Sequence, residues 1–176
     1  VLLVERTYLP YVKEHLPEWY LHCGHEVRID GETDRFNQID FCQQRPIFHH
    51  GTWEMVPNPR KTLATALSWT DTKVDQHKYL GTVWEARAIL HQGQPVLGPL
   101  FKRLAEENTQ RLDSKYPLTG LQIRLRLDDR HNIHLHDVEP TARAQYEEAW
   151  GLGLAEQQWL EDMDIDLSQT PVNECG

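Results

Sequence analysis

The chain has 176 residues, 39% of them hydrophobic and 26% charged, with a net charge of −9; this is enough for one compact domain and too little for two well-buried ones. No apolar run approaches the roughly 18–20 residues of a membrane span, since the opening Val1–Val4 is cut by Glu5, and a transmembrane helix is excluded. The same run is too short for a signal-peptide core and no small-residue cleavage site follows it, so the mature protein is expected to start here, with an intracellular site as the default.

In chain order, residues 1–30 read as strand, helix, strand: Val1–Val4, a helix over about 7–21, and a strand at Val27-Arg28-Ile29 after Gly24. Val1–Val4 together with Gly24-His-Glu-Val27 resembles the first unit of the nucleotide-sugar transferases, which implies a parallel sheet. No glycine-rich phosphate loop follows Val4, and Pro10 and Pro17 interrupt the helix, so a nucleotide site is not expected. A hairpin is predicted from 46–50 and Trp53–Val56 through Gly51, stopped by Pro57-Asn-Pro59.

Asp71 and Thr72 suit the cap of a helix running to about His91, with Tyr79, Val83, Ala86 and Leu90 on its buried face. Gly93 closes it, and Pro95 restarts the chain into a helix over 96–112 with Leu97, Phe101, Leu104 and Leu112 on one side; the two form a helical hairpin. Leu121–Leu127 and Ile133–Val138 alternate strictly about a polar turn and predict a second β-hairpin, with Leu127 facing Ile133 and Leu125 facing Leu135. Helices over 140–150, ending at Gly151, and 154–163 follow, the latter with Ala155, Trp159 and Met163 on one stripe. The expected architecture is α+β: one domain over 1–163 with an antiparallel β-hairpin or sheet packed against a helical hairpin and two C-terminal helices, then an acidic tail over 164–176.

Residues 137–176 hold ten acids and one base, Arg143, so this segment alone carries the chain's −9 and residues 1–136 balance. Such a field repels phosphate backbones and attracts basic protein surfaces. On the outer face of the second hairpin Arg126 lies across from His134 and Arg124 from His136. His-x-His suits a metal, but two guanidiniums opposite repel a divalent cation, so the face suits a carboxylate, a phosphate or an acidic peptide.

Other constellations are weaker. His22-Cys-Gly-His25 with Cys42, His49 and His50 has no recognised ligand spacing, and buried histidines and a buried thiol are the simpler account. Cys23, Cys42 and Cys175 form no even framework; spacing allows a Cys23–Cys42 bridge, but all three read as reduced. Asp162-Met-Asp-Ile-Asp166 has the alternating oxygens of a calcium loop, yet Leu167 stands where glycine is needed and Asn173 where the bidentate glutamate is needed. Gly51-Thr-Trp53, Val56-Pro57, Arg60-Lys61, Pro95-Val-Leu97 and Ile133-His-Leu-His136 resemble, in scattered form, the AlkB-like iron and 2-oxoglutarate demethylases of nucleic acids. That resemblance implies a His-x-Asp pair, a distal histidine and a downstream arginine; Val138 stands two places after His136 and no later histidine exists, so it yields no iron site. No serine or cysteine lies in a nucleophile motif.

The expected function is therefore a non-catalytic protein-binding or assembly module, an adaptor or connector of a phage particle or larger bacterial complex, located in the cytoplasm or virion. Trp150, Trp159, Asp162, Asp164 and Asp166 would dock on a partner with a basic surface, and Arg124, Arg126, His134 and His136 would form a second contact face. No cofactor, bound metal or membrane contact is expected, direct nucleic-acid binding is not expected, and the chain would join a homo- or hetero-oligomer. The alternatives are a small metal enzyme using His22, His25, His49 or His50 with the hairpin histidines, and an acidic inhibitor that mimics a ligand of a basic protein.

Overall fold

Proline and asparagine punctuate the chain where its elements change. The computed structural model describes residues 1–68, 73–113 and 137–166. Helix α1 (Leu9–His22) begins with Pro10 in its first turn, where no amide donor is needed, and it carries Pro17 in its interior. None of its residues is buried. Residues 1–5 and 25–30 form no strand, so the strand–helix–strand reading fails: Val1, Leu2 and Leu3 are all exposed and find no sheet to enter.

The hairpin predicted around Gly51 is present as β1 (Gln44–His49) and β2 (Thr52–Pro57), antiparallel, with Phe48 opposite Trp53 and Ile47 opposite Glu54. Its two-residue loop places His50 and Gly51 at φ +47° and +78°, the left-handed pair that matches strand twist and that glycine adopts without strain. Pro57 ends β2 as expected, but a helix that the sequence reading missed starts two residues later. Asn58 accepts hydrogen bonds from the amides of Arg60 and Lys61 and caps α2 (Pro59–Ala66).

Helix α3 (Gln76–Leu90) starts later than expected because Asp75 is its cap, accepting from the Lys78 amide at 3.0 Å. Leu80, Trp84 and Ala88 face the core and Ala86 is buried as expected, whereas Tyr79 and Val83 only flank the core and Leu90 is exposed. Helix α4 (Leu97–Glu107) buries Leu97, Leu100, Phe101 and Leu104 against α3, so the helical hairpin is as predicted; Leu112 lies beyond its end. Each such buried side chain contributes roughly 1.5–3 kcal/mol. The turn between them puts Val96 at φ +66°, a rare conformation for a β-branched residue, with its amide held by Glu161 at 2.9 Å.

Helix α5 (Pro140–Trp150) ends at Gly151 as predicted and sends Tyr146 and Ala149 into the core. Helix α6 (Leu154–Glu161) is rotated from the expected stripe: Ala155 and Trp159 are exposed, whereas Gln157 is fully buried and Leu160 packs against the core. The core joins Ile47 and Val56 of the sheet to α3, α4 and α5. Helices packed around one antiparallel hairpin make an α+β domain, the class expected. The second hairpin, over 121–138, lies outside the described residues except for Asp137 and Val138. Among the described residues no helix is long and apolar enough to cross a membrane.

Candidate functional site

The β1–β2 hairpin has two faces of different chemistry. Its inner face carries Arg45, Ile47 and His49 on one strand and Glu54 and Val56 on the other, because side chains alternate along a strand. Among them runs a part-buried polar chain: His49 Nε2 meets Glu54 Oε2, Gln94 donates from Nε2 to Glu54 Oε1 at 2.8 Å, and His91 Nδ1 meets Gln94 Oε1 at 2.9 Å. An amide oxygen only accepts, so His91 carries its proton on Nδ1 and leaves Nε2 as a bare acceptor, buried without a hydrogen-bond partner. Burial is the main reason that His91 has its pKa lowered to about 4, and the Arg87 guanidinium nearby adds to the effect.

This chain fixes the hairpin to the turn between α3 and α4. A second set of contacts fixes it to α5: Glu139 accepts from the His50 amide at 2.9 Å and sits 3.3 Å from its Nδ1, Gln145 accepts from the Phe48 amide at 2.7 Å, and Arg45 bonds the Ala149 carbonyl while its guanidinium stacks 4.7 Å over the Trp150 ring. The outer face is therefore presented by a clamped scaffold. It exposes Trp53 (48%), Phe48 (37%) and Met55 (37%), and Phe36 (53% exposed) closes on Trp53 edge to face at 4.7 Å.

The residues expected to bind a partner are spread out. Trp150 is half-buried under Arg45 and flanks the core, while Trp159 is 67% exposed on α6. Asp162, Asp164 and Asp166 are exposed after α6. Arg124, Arg126, His134 and His136 lie outside the described residues. Several carboxylates of the acidic segment are engaged within the fold: Glu161 pairs with Arg143 at 2.8 Å, Glu148 accepts from Asn37 at 2.6 Å, Glu156 accepts from the Gly153 amide at 2.8 Å, and Glu139 holds His50. Cys23 and Cys42 are free, as expected, but exposed rather than buried. Among the described residues no group of three or more His, Cys, Asp or Glu side chains is placed to hold a metal ion.

The family model of the viral RNA-dependent RNA polymerases matches residues 1–167, and the chain belongs to that family. It is 29% identical over 170 residues to the RNA-directed RNA polymerase of Cymbidium ringspot virus, covering 92% of the chain and 20% of that protein. It is 27% identical over 182 residues to that of Tomato bushy stunt virus (strain Cherry), with the same two coverages, and 25% identical over 179 residues to that of Tobacco necrosis virus (strain D), covering 99% of the chain and 25% of that protein. The chain thus spans about a fifth of the length of the first curated relatives it matches. No solved structure matches it.

Family membership overturns three expectations. A non-catalytic adaptor, a phage structural protein and a chain that avoids nucleic acid are all at odds with a viral RNA polymerase family. Net charge is not a free field here, because Glu139, Glu148, Glu156 and Glu161 serve the fold. Residues 35–61 hold Arg35, Arg45, Arg60 and Lys61 against Asp40 and Glu54, a local net charge of +2 that the whole-chain total hid. Sequence reasoning also missed Glu54 and Gln94, which no motif marks. The density of Phe36, Phe41, Phe48 and Trp53 in the same stretch was the available signal.

Proposed function

We propose that the chain is a segment of a viral RNA-directed RNA polymerase, an enzyme that copies an RNA strand by adding nucleotides, and that RNA is its partner. The match of the family model over residues 1–167 carries this reading. Polymerases place a pair of divalent cations on carboxylates to activate and clamp the reacting oxygens. The described residues do not fit that pair, having no cluster of three candidate ligands. The part supported for these residues is to frame and contact: the His49–Glu54–Gln94–His91 chain and the Glu139 and Gln145 bonds hold one hairpin against the α3–α4 turn and α5. Work in the cytoplasm of an infected cell accords with this reading.

The test is RNA-templated nucleotide incorporation by the full-length polymerase that carries this segment. Labelled product of template length is expected, and Glu54→Ala, which unpairs both His49 and Gln94, should reduce it together with the enzyme's thermal stability. A polymerase deleted for residues 1–167 that still copies RNA at the undeleted rate would overturn the segment's part in the reaction.

A further inference from the structure

We propose that the turn between α3 and α4 is a strained two-state joint through which α6 holds the β1–β2 hairpin in place, with Glu161 as its latch and Gln94 as its arm. The Leu97 amide donates to the Pro95 carbonyl at 2.8 Å across Val96, whose φ and ψ are +66° and −65°. These are the angles of the γ-turn with positive φ at its centre, the rare and strained form rather than its common inverse. A β-branched side chain tolerates positive φ least, and this one is fully buried. Strain of this kind persists only where surrounding contacts over-determine it. The contact here is Glu161 Oε1, which accepts from the Val96 amide at 2.9 Å and is itself held by Arg143 at 2.8 Å.

The strain has a consequence because of what the turn carries. Next to Pro95, Gln94 donates to Glu54 Oε1 on β2 at 2.8 Å and accepts from His91 Nδ1 at 2.9 Å. Gly93, at φ +73°, lies on the other side of Gln94 and supplies a second pivot. Withdrawing Glu161 removes the acceptor that fixes the Val96 amide, and Val96 returns to the negative φ that valine favours. That rotation reorients the chain before it, takes Gln94 off Glu54, and leaves Glu54 to His49 alone. The hairpin then keeps its α5 bonds through Glu139 and Gln145 but loses its tie to the helical hairpin. One turn with two packings, biased by a contact 65 positions further along the chain, is the bistable element that coupling at a distance requires. Helix α6 is attached on one side only, by Gln157 and Leu160, while Ala155 and Trp159 are exposed. A contact on that outer side can therefore reach the latch without touching the hairpin.

The experiment is hydrogen–deuterium exchange by mass spectrometry on the full-length polymerase carrying this segment, with a melting temperature for each variant. Val96→Gly and Val96→Ala both remove the valine side chain, but only glycine adopts positive φ without strain. Val96→Gly should therefore melt higher than Val96→Ala, the reverse of their order at an ordinary backbone position. Glu161→Ala should raise exchange of the hairpin amides over 44–57 about tenfold beyond its effect on α4, and Gln94→Ala should do the same. With Val96→Gly already in place no strain waits to be released, so Glu161→Ala should then move the hairpin far less than it does beside Val96→Ala. Val96→Ala melting at or above Val96→Gly would show an unstrained turn. Hairpin exchange that rises no more than that of α4 in Glu161→Ala or in Gln94→Ala would show no coupling, and an equal Glu161→Ala effect beside glycine and alanine would show that the latch does not act through Val96. Any one of these overturns the joint. None of them bears on RNA copying, so the polymerase reading stands or falls separately.

Discussion

His91 has one nitrogen bonded and the other bare, and both facts follow from Gln94, whose amide is oriented by Glu54. Protonating the bare nitrogen would place a cation in a buried site beside Arg87, which is why the folded pKa falls to about 4 from 6.5. Because the folded value lies below the unfolded one, the neutral form favours the folded state. That contribution is complete above about pH 6.5 and declines as the pH falls towards 4, reaching roughly 3 kcal/mol at most. Thermal unfolding followed from pH 7 to pH 4 should therefore show a loss of stability that His91→Gln reduces, since glutamine retains a donor for Gln94 and cannot take up the proton. An identical pH dependence in the two proteins would disprove the role given to His91.

The α3–α4 pair shows how an element is fixed by what crosses it. Beyond α4 the chain returns over α3 at Gly81, where a Cβ would lie 2.1 Å from the Gln110 carbonyl oxygen and 2.8 Å from Arg111 Nη1. Arg111 is anchored by Glu85 at 3.0 Å and by the Ala105 carbonyl at 2.9 Å, and the Leu112 amide reaches Thr82 Oγ1 at 2.9 Å. A backbone oxygen held this way cannot yield cheaply, so Gly81→Ala should destabilise by about 1–3 kcal/mol, a drop of about 3 °C in Tm per kcal/mol for a chain this size. Gly31→Ala, where nothing lies within 4 Å, is the control and should change little. The sequence made these helices legible through Gly93, Pro95 and the Leu97–Phe101–Leu104 spacing, because local periodicity and punctuation follow local rules. It could not disclose Asp75 as the cap in place of Asp71, or the face of α6. Both depend on which neighbour occupies the adjacent space, as the burial of Gln157 between the Leu152 and Arg143 carbonyls illustrates. The candidate site was half legible: the hairpin and its Gly51 turn were read, but the Glu54–Gln94 link that ties it to the α3–α4 turn joins residues 40 positions apart and left no local pattern.

At the scale of the molecule, the acidic C-terminal quarter behaves as a structural brace. Glu161 is only 11% exposed at its side chain, takes both guanidinium nitrogens of Arg143 at 2.8 and 3.1 Å, and accepts from the strained Val96 amide. Arg103 bonds the carbonyls of Glu161 and Met163 at 3.2 and 2.6 Å, and Ile165 packs against the core. A docking tail would leave the body intact when removed, whereas a brace would not. Ending the chain after Gly153 strands Arg143 and the Val96 amide, uncovers the core under Leu160 and Ile165, and removes the two hydrogen bonds of Gln157. Breaking a largely buried ion pair alone costs about 3–5 kcal/mol, a large fraction of the roughly 5–15 kcal/mol that holds a domain folded. The shortened chain should therefore lose its cooperative thermal transition by circular dichroism, and Glu161→Ala in the full chain should lower Tm by several degrees. A truncated chain melting within a degree or two of the full one would show that these carboxylates are surface charge after all.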